Sequence, residues 1–177
     1  MNIQSAIIEG TNILKSKYIQ TAKLDTEILL AEVLGKDRKY ILLNNNKDLE
    51  AENLKYFQKL IKERSNCKPI AYLVKKKFFW NSEFFVTDDT LIPRPDTELI
   101  IEKILELTKH KNRMHILDIG VGSGCILLSI LKEKKNFYGT GIDISENCLN
   151  ISKINAKKLK VVARTKFCKT DVDKFSF

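Results

Sequence analysis

The chain has 177 residues, enough for one ordinary domain or two small ones, and its 44% hydrophobic and 30% charged residues are those of a globular rather than a disordered chain. No run approaches the roughly 18 to 20 apolar residues of a membrane span, and Met1-Asn-Ile-Gln-Ser5 has neither the basic head nor the apolar core of a signal peptide, so the expected location is cytoplasmic, with no membrane association. The net charge is +9, but only five of the 31 basic residues are arginine, so the lysine excess reads as solvated surface and direct nucleic-acid binding is not expected.

From Asn2 to about Arg64 the apolar period is helical. Ile3, Ile7, Gly10 and Leu14 form one stripe, and Leu24, Ile28, Ala31 and Leu34 a second, with Asp25 as an N-cap or first-turn acid and Gly35 as the residue that ends the helix. A short helix is expected over Arg38 to Leu43, a turn at Asn44-Asn-Asn46, and a fourth helix marked by Leu54, Phe57, Leu60 and Ile61. Pro69 closes this bundle. Ala71 to Val74 and Phe78-Phe-Trp80 then predict strand, and Asn81-Ser82 turns the chain back into Glu83 to Thr87 as a hairpin, its aromatic residues in the core.

Leu91-Ile-Pro-Arg-Pro-Asp-Thr-Glu98 reads as a rigid lead into a helix starting near Asp96, with Ile100, Ile104 and Leu107 as its buried stripe. Strand, helix, strand, helix follow: Ile116 to Ile119, Cys125 to Lys132, Phe137 to Ile142, and Glu146 to about Leu159, with Leu149, Ile151 and Ile154 inside and Ser145 or Asp143 as the cap. Thr165 to Lys169 is a third strand. The four cysteines lack Cys-x-x-Cys spacing and the two histidines pair with none of them, so the thiols are expected reduced and mostly buried, with no metal site.

The chemistry concentrates where the first of these strands breaks into Asp118-Ile-Gly-Val-Gly-Ser-Gly124. Backbone without Cβ atoms turns sharply and lets a ligand lie against it, and in an open α/β sheet ligands bind beyond the carboxyl ends of the strands. Asp143 ends the next strand and can accept both ribose hydroxyls of a nucleoside. A dinucleotide site would want Gly or Ala where Cys125 stands, so the nicotinamide fit is poor. The spacing of the acid and the three glycines resembles instead the S-adenosylmethionine (SAM) methyltransferases; a nicotinamide cofactor, or a glycine turn with no ligand, are the alternatives.

Leu91 to Glu98, the Leu117 to Gly124 loop, the helical bundle and Pro69-Ile-Ala-Tyr-Leu73 together closely resemble the N5-glutamine methyltransferases of peptide chain release factors, the HemK/PrmC family. The resemblance implies an α/β chain made of a helical substrate-docking bundle (1–68), a β-hairpin linker (69–92) and the N-terminal half of a Rossmann-like SAM-dependent methyltransferase domain (93–177). It implies SAM as cofactor and release factors as protein substrates, methylated on the glutamine of their Gly-Gly-Gln tip. Carried over by position, Gly120, Val121, Gly122, Ser123 and Gly124 would line the methionine and ribose, Asp143 would bind the ribose hydroxyls, and Asp171 and Val172 would border the adenine. Arg94, Thr97 and Glu98 would belong to the wall of the glutamine pocket.

Two departures stand out. Lys75-Lys-Lys77 occupies a loop where the family usually carries a glycine, and the family's Asn-Pro-Pro-Tyr motif, which holds the glutamine amide, does not occur among the 177 residues, so no catalytic residue is assigned. The sequence therefore reads as a fragment that binds cofactor at most, and the strand leading into the glycine loop is expected to form an unpaired sheet edge. The alternatives are a non-catalytic module that binds a release factor or the ribosome, and a fragment of a nucleic-acid amine methyltransferase.

Overall fold

A computed structural model describes residues 1–176 and divides into two compact units, Met1–Val74 and Lys75–Phe177. The first is helical: α1 (Ile3–Ser16), α2 (Ala22–Leu34), α3 (Arg38–Leu43), α4 (Ala51–Ser65) and a single turn α5 (Ile70–Leu73). Local chemistry sets several ends. The Asn2 side chain accepts the Ser5 N–H, Asp37 accepts the Tyr40 N–H, and Gly35 closes α2 with φ of 60°. Ile3, Leu14, Leu29, Leu30, Ile41, Phe57 and Ile61 form the core.

Two expectations are corrected here. In α2 the fully buried apolar residues are Leu29 and Leu30, while Leu24 is 41% exposed, because α1, α3 and α4 cover this helix from several sides and no single stripe defines its inner face. Ala71 to Val74 is not strand. Pro69 starts a helical turn in which the Tyr72 and Leu73 N–H groups donate to its carbonyl, and burial of Ala71 and Leu73 outweighs the strand preference of the neighbouring residues.

In the second unit, β1 (Lys76–Phe79) and β2 (Ser82–Phe85) form an antiparallel hairpin across Trp80-Asn81, both left-handed with φ of 44° and 54°. Phe79 and Phe84 are buried and meet edge to face at 6.1 Å, as the core reading expected, whereas Phe78 is exposed and Trp80 half-buried. The second strand ends earlier than expected, because Thr87 turns out to bond Asp89 (Oγ1 to Oδ2, 2.8 Å). Lys75 has φ of 54°, the conformation a glycine adopts freely. Lys75→Gly is expected to raise the unfolding free energy of this unit by about 0.5 kcal/mol, net of the greater freedom glycine has when unfolded. Urea unfolding checks it, and a loss of stability would contradict it.

A 3-10 turn over Pro95–Thr97 leads into α6 (Glu98–Leu107). Its fully buried residue is Ile101. Ile100 and Leu107, expected inside, are 48% and 69% exposed, since α7 (Cys125–Glu133) covers only one narrow face of this helix. Ile154 is likewise exposed on α8 (Glu146–Lys158), while Leu149 and Ile151 are buried as expected. The sheet is parallel in the order β3 (His115–Ile119), β4 (Tyr138–Asp143), β5 (Thr165–Lys169), with Asp118 opposite Gly141 and Asp143 opposite Lys169. β3 is an edge strand among the described residues, as expected, and Ile119 is exposed. The cysteines are free; Cys148 is buried, Cys125 and Cys168 are half-buried, and Cys67, contrary to expectation, is exposed at a helix end with φ of 64°.

Candidate cofactor site

β3 delivers the chain to the loop at its carboxyl end, and Gly120, Gly122 and Gly124 there have φ of 72°, 55° and 79°. Alternating left-handed residues fold the loop back over β4, where the N–H groups of Gly120 and Val121 both donate to the Ile142 carbonyl at 2.9 and 3.0 Å. The three glycines serve different purposes. A Cβ on Gly120 would meet nothing within 4 Å, and one on Gly122 only the Gly120 carbonyl at 3.9 Å, so these two leave an open backbone surface. A Cβ on Gly124 would run into Leu128 at 2.8 Å and Ser152 Oγ at 3.1 Å, so this glycine lets the start of α7 sit close to α8. Val121 and Ser123 are buried between them.

Asp143 closes the site from the end of β4. One carboxylate oxygen accepts the Gly122 N–H at 3.0 Å and the other the Ser145 N–H at 2.9 Å, while Ser145 in turn caps α8 through the Cys148 N–H. The carboxylate is thereby held against the glycine loop, and each oxygen keeps a lone pair for a further donor. An open glycine backbone beside an oriented carboxylate fits a nucleoside cofactor whose ribose hydroxyls donate to the acid.

Asp118 stands behind the loop. Burial, more than the nearby Asp143 charge, pushes its carboxyl up to about 6, against a smaller opposing effect of the Leu127 backbone. The folded chain thus holds a proton between about pH 4 and 6 that the unfolded chain has released, and its stability falls as pH rises through that window. Asp118→Asn is expected to remove about 2 kcal/mol of this pH dependence, the full shift being discounted for the partial exposure of the side chain. Thermal unfolding of both proteins at pH 4.5 and 7.5 measures it; equal pH dependence would refute it. Burial likewise pushes the Cys125 thiol up to about 11, so it is protonated at neutral pH.

The remaining predicted residues follow β5, beyond whose end the Thr170 N–H donates to the Asp143 carbonyl at 3.1 Å, or stand at or just before the start of α6. Asp171, two residues beyond Lys169, accepts the Asp173 N–H at 3.2 Å and is exposed, as is Val172. Arg94 is exposed and its carbonyl accepts the Thr97 N–H, while Glu98 is turned to the hairpin, its carboxylate accepting the Trp80 N–H at 2.9 Å. Sequence reasoning missed Ser152 and Asn155. From the fully buried face of α8, Ser152 donates to the Gly122 carbonyl at 2.8 Å and Asn155 to the Ser123 carbonyl at 2.9 Å. Their signal was there to find: Cys148, Ser152 and Asn155 recur at helical spacing in phase with the buried Leu149, Ile151 and Ala156.

Residues 5–74 match the family model described as the PrmC N-terminal domain, and residues 110–177 match one described as a methyltransferase domain. Among curated proteins, the chain is 41% identical over 159 residues to the release factor glutamine methyltransferase of Buchnera aphidicola subsp. Acyrthosiphon pisum, covering 90% of this chain and 56% of that protein. It is 37% identical to the protein of that name from Shewanella oneidensis (89% and 56% covered) and 36% identical to the one from Clostridium acetobutylicum (94% and 58%). The chain spans a little over half the length of these relatives. No helix among the described residues is long and apolar enough to cross a membrane.

Proposed function

We propose, from the premise that this chain belongs to the release factor glutamine methyltransferase family, that it is the docking and cofactor-binding portion of a SAM-dependent enzyme acting on the glutamine side-chain amide of release factors. The observation that carries the cofactor assignment is the open Gly120–Gly122 backbone with the Asp143 carboxylate fixed against it. When bound, SAM supplies an electrophilic methyl group on a sulfonium. Gly120 to Gly124 support the methionine and ribose, Asp143 accepts the ribose hydroxyls, and Asp171 and Val172 border the adenine. Arg94 and Thr97 are assigned to the wall near the substrate amide. Glu98 is assigned there through the hairpin turn it holds by the Trp80 N–H.

The helical unit is assigned to docking. An apolar cavity opens between α1 and α4, lined by Ala6, Gly10, Ile13, Leu54, Phe57 and Ile61, and suits an apolar segment of a protein partner. A cytoplasmic location follows from a substrate that works in translation. An amide nitrogen is a weak nucleophile because its lone pair is delocalised, so transfer depends on positioning, which is worth roughly 7 to 11 kcal/mol in well-aligned systems. Residues 1–177 contain no Asn-Pro-Pro-Tyr sequence to position it. Chain 1–177 is therefore expected to bind S-adenosylhomocysteine in competition with SAM, and to transfer no labelled methyl group to a release factor by itself. Calorimetric titration and a labelled-methyl assay test both halves. Absence of S-adenosylhomocysteine binding would overturn the cofactor assignment.

A further inference from the structure

Asn155 is buried to 0% exposure, yet its side chain joins two segments that are 38 residues apart in sequence (123 − 85). Its Oδ1 accepts the Phe85 N–H at 2.7 Å, and its Nδ2 donates to the Phe85 carbonyl and to the Ser123 carbonyl, both at 2.9 Å. The orientation of the amide is unambiguous, because the oxygen faces an N–H and the nitrogen faces two carbonyls. Asn155 thus pairs with the free edge of β2 as a neighbouring strand would, and spends its second N–H on the glycine loop.

The rest of α8 holds the same strap. Lys158 reaches Glu83 at 2.6 Å, Asn147 reaches the Asp89 carboxylate at 2.8 Å, and the Cys148 thiol contacts the Asp89 carbonyl at 3.1 Å. Residues 83–89 therefore run along α8, and they lead directly into Leu91-Ile-Pro-Arg-Pro95. The glycine loop rests on the same helix through Ser152 and Asn155, but of these two side chains only Asn155 also binds the strap.

We propose that Asn155 is a positioning residue that couples occupancy of the glycine loop to the order of the hairpin strap, an inference that rests on the cofactor reading above. A ligand that orders the loop fixes the Ser123 carbonyl, hence the Asn155 amide, hence the Phe85 backbone. A buried side chain with all its polar atoms engaged has one arrangement in which every bond is made, and this transmits order between its partners.

The test follows amide hydrogen exchange at Phe85 in chain 1–177, with S-adenosylhomocysteine as the probe and calorimetry to measure its binding. In the unaltered chain, saturating probe is expected to slow Phe85 exchange at least tenfold; unchanged exchange overturns the coupling and needs no variant to fold. Asn155→Asp keeps the acceptor for the Phe85 N–H but loses both donated bonds, and is expected to bind the probe at least tenfold more weakly with no response at Phe85. Ser152→Ala removes only the Gly122 bond, and is expected to weaken binding while the Phe85 response persists. An Asn155→Asp chain that keeps both affinity and response overturns the proposal. If the unaltered chain does not bind the probe, calorimetry shows this first, and the cofactor reading falls together with the coupling.

Discussion

Asp143→Ala is expected to weaken S-adenosylhomocysteine binding at least a hundredfold, about 2.7 kcal/mol. Hydrogen bonds to a charged acceptor contribute about 1.5 to 3 kcal/mol each, and a ribose diol would donate two of them to this carboxylate. The substitution also frees the Gly122 and Ser145 N–H groups, so the loop loses the contact that holds it to the end of β4. Asp143→Asn does not repair this. With its carbonyl oxygen on Ser145, the amide NH2 would face the Gly122 N–H, donor against donor, and with the opposite flip it would face the Ser145 N–H. Both variants should keep the circular dichroism of the unaltered chain, which separates lost binding from lost folding. Affinity within threefold of the unaltered chain would remove Asp143 from the ribose role.

In the helical unit the largest expected effect is that of Arg64→Ala, a loss of about 3 kcal/mol. Arg64 Nε donates to Asp25 Oδ2 at 2.7 Å and its Nη1 to the Lys68 carbonyl at 3.1 Å, joining α4 to α2 and to the segment entering α5. The Asp25 side chain is only 5% exposed, so truncation leaves a buried carboxylate that accepts from the Thr21 hydroxyl, a neutral donor, at 2.9 Å. Breaking such a pair from one side costs about 3 to 5 kcal/mol, chiefly through the stranded charge. A unit of this size has a total stability on the order of 4 to 11 kcal/mol, so the loss is a large fraction of it. The double variant Asp25→Leu, Arg64→Met should recover most of the loss, because no charge is left without a partner. As a control, Lys103→Ala breaks the exposed pair with Glu106 and should change stability by less than about 0.5 kcal/mol. Urea unfolding followed by far-ultraviolet circular dichroism reads all three; an Arg64→Ala chain as stable as the control would show that the pair contributes nothing.

Both predictions involve residues that the sequence presented in different ways. Asp143 was legible because an acid that ends an apolar run is a local pattern; its bond to the Gly122 N–H, 21 positions back, was not. Arg64 was read only as the end of a helix, and Asp25 only as an acid for the start of one; their union spans 39 positions in the chain and appears only once α2 and α4 are packed. Glu98 shows the same division. Its place at a helix start was evident, whereas its bond to the Trp80 N–H depended on where the hairpin turn came to rest.

What the sequence determined by itself was therefore whatever is decided within one or two turns of chain. The α3 span from Arg38, the stop at Gly35, the cap at Ser145, one of the two residues expected for it, and the sharp glycine turn each depend on near neighbours, and each stands where it was expected. Tertiary structure decided which face of a helix was covered: Leu29 and Leu30 rather than Leu24 in α2, and Ile101 rather than Ile100 in α6. It also turned Ile70–Leu73 into helix, and it gave Asn155 two distant backbone partners. Caps and turns satisfy backbone groups from adjacent residues and so are written locally. Burial and long-range hydrogen bonds depend on what the rest of the chain brings alongside, and no local window contains that information.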